Sequence, residues 1–240
     1  MTIAPYQDSD KNKKQQVEQM FDYIAPRYDF LNHFLSLGID KLWRKKAVRI
    51  LGPYHPKKIL DVATGTGDFA IAASKLNVEE IVGFDLSEKM IRVGEEKVKR
   101  LSLDSLIHFK KGDSESMPFN DESFDAITVA FGVRNFENLQ KGLDEFLRVL
   151  KPGGVAVILE FSKPGYFPFK QLYRFYFFHI LPLIGGMVSK DASAYAYLPE
   201  SVMAFPDDQH FLDILGGTGF TKAMQKRLTL GVATIYIAQK

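Results

Sequence analysis

Cysteine is absent from the 240 residues. That excludes a disulfide framework, a thiolate metal centre and a cysteine nucleophile, and it suits a reducing compartment. An excess of one charge is also lacking. The 31 Lys+Arg against 29 Asp+Glu leave a net +2, without the basic surplus of a general nucleic-acid binder. Long apolar runs are missing too. Met1 to Lys14 contains no apolar core of the kind a signal peptide needs. The most apolar stretch, Tyr166 to Val188, is interrupted by Lys170, Arg174, His179 and Pro182. It falls short of the ~20 clean apolar residues of a spanning helix. What is present is a globular balance, 46% hydrophobic and 25% charged. It also has 20 Phe and 10 Tyr, several of them crowded into that one segment.

No internal repeat or low-complexity tract appears. Val17, Met20, Phe21 and Ile24 recur at helical spacing ahead of Pro26. Tyr28 to Ser36 forms a second short segment. Asp40 is placed to cap a third helix, which carries Leu42, Trp43, Ala47 and Ile50. These elements predict an N-terminal helical lid over residues 1–52. From residue 57, short apolar runs alternate with helical patterns. Ile59–Val62, Ile81–Phe84, Ile107–Phe109, Phe124–Phe131 and Val155–Leu159 read as strands, with helices between them. That alternation implies right-handed crossovers and a mostly parallel sheet covered on both faces. It lapses over an aromatic insertion at about 165–206. A helix over Phe211 to Gly219 follows. Two strands, Thr221–Leu228 and Val232–Ala238, then flank Leu230-Gly231, a connection short enough to force antiparallel pairing. The expected fold is α/β, with seven mostly parallel strands closed by an antiparallel hairpin, and residues 53–240 forming one catalytic domain.

The most informative run is Asp61-Val62-Ala63-Thr64-Gly65-Thr66-Gly67-Asp68. A strand ends and a helix begins across Gly65, Thr66 and Gly67, where a ligand can approach the backbone without meeting a Cβ. In doubly wound sheets a nucleotide lies at this loop. Two flanking carboxylates would repel a pyrophosphate but suit a ligand bearing an ammonium and a sulfonium. Asp85 closes the second strand, where an acid can accept from two ribose hydroxyls. Asp113 follows the third strand and can accept from an adenine amino group, while the backbone N–H of Ser114 donates to a ring nitrogen. Loop and acids together resemble the class I methyltransferases that use S-adenosylmethionine (AdoMet), over residues 57–162.

Longer stretches narrow the resemblance. Tyr28 to Trp43, Arg148 to Ser162, Phe131-Gly132-Val133-Arg134-Asn135, Phe178-His179-Ile180-Leu181-Pro182 and Tyr195-Ala196-Tyr197-Leu198 are similar to signatures of the ubiquinone/menaquinone biosynthesis C-methyltransferase family. The match runs from about residue 18 to the C-terminus. Leu31 stands where the family usually has Met, and Asp40 where it usually has His. The general likeness is closer to the demethylmenaquinone branch. The resemblance implies AdoMet as co-substrate, no metal, and a reduced polyprenylated quinol as acceptor. The implied reaction is carbon methylation, demethylmenaquinol to menaquinol, with a benzoquinol precursor of ubiquinone as the alternative.

A phenol of pKa near 10 leaves little phenolate at neutral pH. Carbon methylation therefore needs groups that stabilise the phenolate and exclude water. Arg134, Asp29 and Tyr197 are the candidates, with Tyr28 a second hydroxyl for a quinol oxygen. His33 and His179 read as structural. The aromatic segment with its cations suits a lipid interface or a greasy ligand, so peripheral contact with the inner face of the membrane is expected of a cytoplasmic protein. No nucleic-acid partner is expected, and the oligomeric state is left open, a dimer included. Three rivals are weaker. The first is another small-molecule O- or N-methyltransferase on the same fold, and methylation of exocyclic amines on nucleic acid lacks its motif after strand four. A nicotinamide dehydrogenase fits neither the terminal hairpin nor Ala70. A non-catalytic scaffold would not need the intact loop and acids.

Overall fold

The computed structural model describes residues 3–6, 9–180 and 192–240. Seven strands, β1 (Lys58–Val62), β2 (Glu80–Asp85), β3 (Ile107–Lys111), β4 (Phe124–Ala130), β5 (Leu150–Phe161), β6 (Thr221–Leu228) and β7 (Ala233–Gln239), form one sheet. The order is β3-β2-β1-β4-β5-β7-β6. The first five in that order are parallel, and β7 runs antiparallel to both neighbours. The expected strands and the terminal hairpin are all present. The fifth strand is longer than the expected Val155–Leu159: it takes in Lys151–Gly154, where the register against β4 shifts.

Strand residues alternate between two cores. Leu60, Val62, Phe84, Ile127, Val129, Ile158 and Tyr236 face one side. There they meet Leu143, Phe146 and Val149 of α6 (Leu139–Val149) and Phe211 and Leu215 of α9 (Gln209–Thr218). Ile59, Ile81, Ala126, Val157, Leu159 and Ile235 face the other. Their partners are α3 (Ile39–Leu51), α4 (Asp68–Ala73) and α5 (Glu88–Arg100). Burial on both faces explains why the parallel strands read as continuous apolar runs. A third core joins Val17, Met20 and Ile24 of α1 (Lys13–Ile24) to Tyr173 of α7 (Phe169–Phe175), Phe177, and Tyr197 and Val202 of α8 (Ala192–Ala204). The first helix and the aromatic insertion thus form one cluster. Of the segment expected to form a lid, α3 belongs instead to the sheet core through Trp43, Ala47 and Leu51. Residues 181–188 of the aromatic segment, with the Leu181-Pro182 part of its motif, lie outside the described residues. Among the described residues no helix is long and apolar enough to cross a membrane.

Local signals set the helix starts. Asn12 and Gln15 form a reciprocal capping box on α1, and Ser87 caps α5 through Met90 N. Asp40 does not cap α3. Gly38, in the left-handed region at φ +73, holds that position. Asp40 is buried one residue inside the helix and accepts from His33, Ser36 and Arg44. Phe109 of β3 fills a slot floored by three glycines, because a Cβ on Gly67, Gly83 or Gly94 would come within 2.8–2.9 Å of its ring. A Cβ on Gly94 of α5 would also come within 3.2 Å of the Thr66 backbone, so this helix packs directly under the glycine loop. Gly94→Ala is expected to destabilise by about 1–3 kcal/mol. Adding Phe109→Leu should recover part of that, read as denaturant midpoints.

Candidate active site

The sheet's connections reverse direction between β1 and β4, which opens a crevice at the carboxyl ends of the strands. Gly65, Asp85, Ser87, Asp113, Ser114, Gly132 and Asn135 line a cleft there, roofed by Lys14, Val17 and Phe21 of α1. Asp85 accepts from Gly65 N at 2.7 Å and Ser87 N at 2.9 Å, tying the glycine loop to the turn after β2. Burial pushes its carboxyl pKa up against those donors. Asp113 is already engaged: Lys14 Nζ lies 2.6 Å from it and 3.2 Å from Glu115. A base can reach Asp113 only when Lys14 moves aside. Gly65, Asp85, Asp113 and Ser114, singled out from sequence, therefore meet on one wall.

Asp61, Thr66 and Gly67 hold the loop from beneath. Asp61 is buried and accepts from Thr64 Oγ1, Thr128 Oγ1 and Ala70 N at 2.6–3.1 Å. Burial raises its pKa to about 6 despite those bonds. It lines a small recess with Tyr28, Arg44 and Asp68 rather than the main cleft. Thr66 donates to Asp29, and Gly67 takes the left-handed φ of +80 at the start of α4. Asp29, a catalytic candidate from sequence, lines neither the cleft nor the recess. It is fastened by Lys97 at 2.6 Å and by Thr66, and so pins α2 (Tyr28–Leu35) to the glycine loop.

An apolar cavity of about 570 Å³ adjoins the cleft. Phe21, Tyr28, Phe131 and Asn135 line both, so the two spaces share one wall. Arg134 and Tyr197 also line the cavity. The Arg134 guanidinium pairs with Glu160 at 2.9 Å, also bonds the Phe131 carbonyl, and lies over the Phe161 ring. Glu160 is fully buried, and burial pushes its pKa up while Arg134 opposes the shift. Among the described residues the buried Tyr197 hydroxyl has no hydrogen-bond partner, nor has that of Tyr173, and burial pushes the Tyr197 pKa up to about 12. Neither phenol ionises at neutral pH, so neither can serve as a base there. The Asn135 Oδ1 and Arg134 Nε are likewise buried and unpartnered.

These orphaned atoms fit a ligand spanning cleft and cavity. The cleft's glycine, ribose-height acid and base-height acid form a donor and acceptor set that matches AdoMet. His33, Asp40 and Asp68 could surround a cation, but Arg44 and Lys97 already supply positive charge to both carboxylates. Sequence reading missed Glu160, Lys14 and Tyr173. Glu160 had a signal, as the lone acid in the apolar run Val155–Phe161. Lys14, in a polar stretch of lysines and glutamines, had none.

Sheet order, glycine loop and acid-lined crevice define an AdoMet-dependent methyltransferase. A solved SAM-dependent methyltransferase from Thermotoga maritima shares the fold at TM-score 0.63 and 19% identity, over 92% of this chain and 98% of that one. Haemonchus contortus phosphoethanolamine N-methyltransferase 2, solved with S-adenosyl-L-methionine, aligns at TM-score 0.59 and 17% identity, over 81% of this chain and 52% of that one. The model of the ubiE/COQ5 methyltransferase family matches residues 9–240, and the chain belongs to that family. A demethylmenaquinone methyltransferase of Bacteroides fragilis is 52% identical over 99% of this chain and 97% of its own length. A ubiquinone/menaquinone biosynthesis C-methyltransferase UbiE of Geotalea daltonii is 50% identical over 95% and 97%.

Proposed function

We propose that this chain methylates a ring carbon of a reduced, polyprenylated naphthoquinol, converting demethylmenaquinol to menaquinol. The observation that carries the reading is the shared wall: a large apolar cavity, with the guanidiniums of Arg44 and Arg134 in its lining, meets the donor cleft at Phe21, Tyr28, Phe131 and Asn135. The names borne by relatives about half identical over their full length support the same acceptor.

Bound in the cleft, AdoMet supplies an electrophilic methyl group on a sulfonium. Asp85 holds the ribose, Asp113 and Ser114 the adenine, and Gly65 admits the backbone approach. Asp61, Thr66 and Gly67 keep the loop in shape. On the acceptor side, Arg134 stabilises the phenolate form of the quinol, which loads charge onto the adjacent carbon. A guanidinium is a poor base, so Arg134 favours loss of the phenolic proton to water without taking it; after methyl transfer the ring carbon's hydrogen leaves as the oxygen is reprotonated, and one proton is released in all. The aromatic lining excludes water, and charges that annihilate in the transition state need little solvation. The oxidised quinone lacks the nucleophilic carbon, so the reduced form is the substrate. A prenylated acceptor places the enzyme's work at a membrane surface.

The direct test supplies label-bearing AdoMet with reduced demethylmenaquinone and, separately, with the benzoquinol analogue. Label on a ring carbon of the naphthoquinol is expected. Label on the benzoquinol alone would move the chain to the ubiquinone branch, and label on neither would end the reading.

Asp61 gives a pH signature. Half-protonated at about pH 6, it should lose its proton when the sulfonium and ammonium of AdoMet bind across the glycine loop from it. AdoMet binding should therefore release protons near that pH and tighten as the pH rises through it. The demethylated product, without the sulfonium, should show a smaller effect. Calorimetry in buffers of differing ionisation enthalpy reads both.

A further inference from the structure

We infer that the mouth of the apolar cavity is a docking face for an anionic lipid bilayer. This rests on the acceptor reading for its purpose but on separate observations for its evidence. The cavity's lining reaches the surface through apolar side chains from three distant segments. Leu37 in the α2–α3 turn is 84% exposed, Leu172 on α7 is 61% exposed, and Leu230 at the tip of the β6–β7 hairpin is 62% exposed, and all three line the cavity. Phe30, Leu42, Phe167 and Phe175 extend the apolar surface on the same elements or beside them.

Two of these leucines are placed against the ordinary rules of a loop tip. Leu37 has φ +51 and Leu230 φ +57. The left-handed region disfavours a bulky residue and suits Gly, Asn or Asp. Each leucine also precedes a glycine, Gly38 and Gly231, that is itself left-handed. Neither belongs to a hydrophobic core. Folding gains nothing from a strained leucine pointed at water, and solubility loses by it. An environment that accepts apolar tips explains both positions, and an observed backbone outlier is a sound starting point for a functional inference.

Charge selects the occupant. Residues 161–180 contain no Asp or Glu but include Lys163, Lys170 and Arg174. The exposed Lys41 and Lys45 stand on α3 beside Leu42. Lys41, Lys45, Lys170 and Arg174 make no ion pair among the described residues. The two acids of the 27–51 segment, Asp29 and Asp40, are taken by Lys97 and by Arg44 with His33. Apolar tips flanked by unneutralised cations match an anionic bilayer, with the leucines at the acyl boundary and the cations among headgroups. Seated so, the cavity opens towards lipid, and a prenyl tail need not cross water.

The test is sedimentation of the full-length protein with phosphatidylglycerol vesicles, with no AdoMet and no quinol present. Binding is expected to vesicles of phosphatidylglycerol, to fall with salt, and to weaken at least about tenfold on pure phosphatidylcholine. Leu37→Asn/Leu230→Asn should lower vesicle affinity at least about tenfold, with a melting temperature unchanged or raised because Asn tolerates the left-handed region. Lys170→Glu/Arg174→Glu should do the same and flatten the salt dependence. No sedimentation of the wild type at low salt would overturn the inference, as would wild-type binding by the double-Asn variant. A concentration-dependent dimer dissolved by the Asn substitutions would also overturn it, assigning the face to a second copy. Vesicle binding by a protein that methylates no quinol would instead remove the acceptor reading and leave this face standing.

Discussion

Arg134→Met is expected to cut turnover about 100- to 1000-fold, the scale for removing a preorganised donor from a developing oxyanion, while leaving AdoMet affinity nearly intact. A second effect accompanies it. The fully buried Glu160, paired with Arg134 at 2.9 Å, is left with an uncompensated charge. Losing one partner of a buried pair costs about 3–5 kcal/mol, so the single variant will also melt earlier. The double variant Arg134→Met/Glu160→Gln separates the two effects. It should recover much of the stability, because it removes the uncompensated buried charge while the amide oxygen keeps accepting from Phe161 N. It should recover none of the turnover. Full activity in either variant would remove the guanidinium from the chemistry.

Asp85→Ala is expected to weaken AdoMet binding at least about 100-fold, the worth of two charge-assisted hydrogen bonds. Its demethylated product should lose affinity equally, since both share the ribose. The substitution also frees Gly65 N and Ser87 N, which the carboxylate now joins, so the loop itself will loosen. Asp85→Asn keeps an acceptor for one of those donors and should lie between. Calorimetry with both ligands, together with a melting curve, distinguishes a lost ribose contact from a lost fold. Unchanged affinity in Asp85→Ala would place the sugar elsewhere.

The mostly parallel sheet, the hairpin and the glycine loop were legible because each rests on local pattern. Alternation of apolar runs and helical faces leaves few topologies, and Leu230-Gly231 is too short for anything but a hairpin. The site was legible where its residues sit at strand ends, as Gly65, Asp85, Asp113 and Ser114 do. It was illegible where roles depend on partners far along the chain. Asp29 looked catalytic from its motif, yet Lys97, 68 residues away, takes its carboxylate. Asp40 looked like a cap, yet the turn at Gly38 brings His33 and Ser36 back onto it. Glu160 and Arg134 are 26 residues apart, and only the β4–β5 pairing sets them side by side.

The first helix has one side on each chamber. Val17 and Lys14 cover the donor, Met20 and Ile24 wall the acceptor, and Phe21 touches both. Any displacement of that helix would therefore open the cleft and the apolar cavity together.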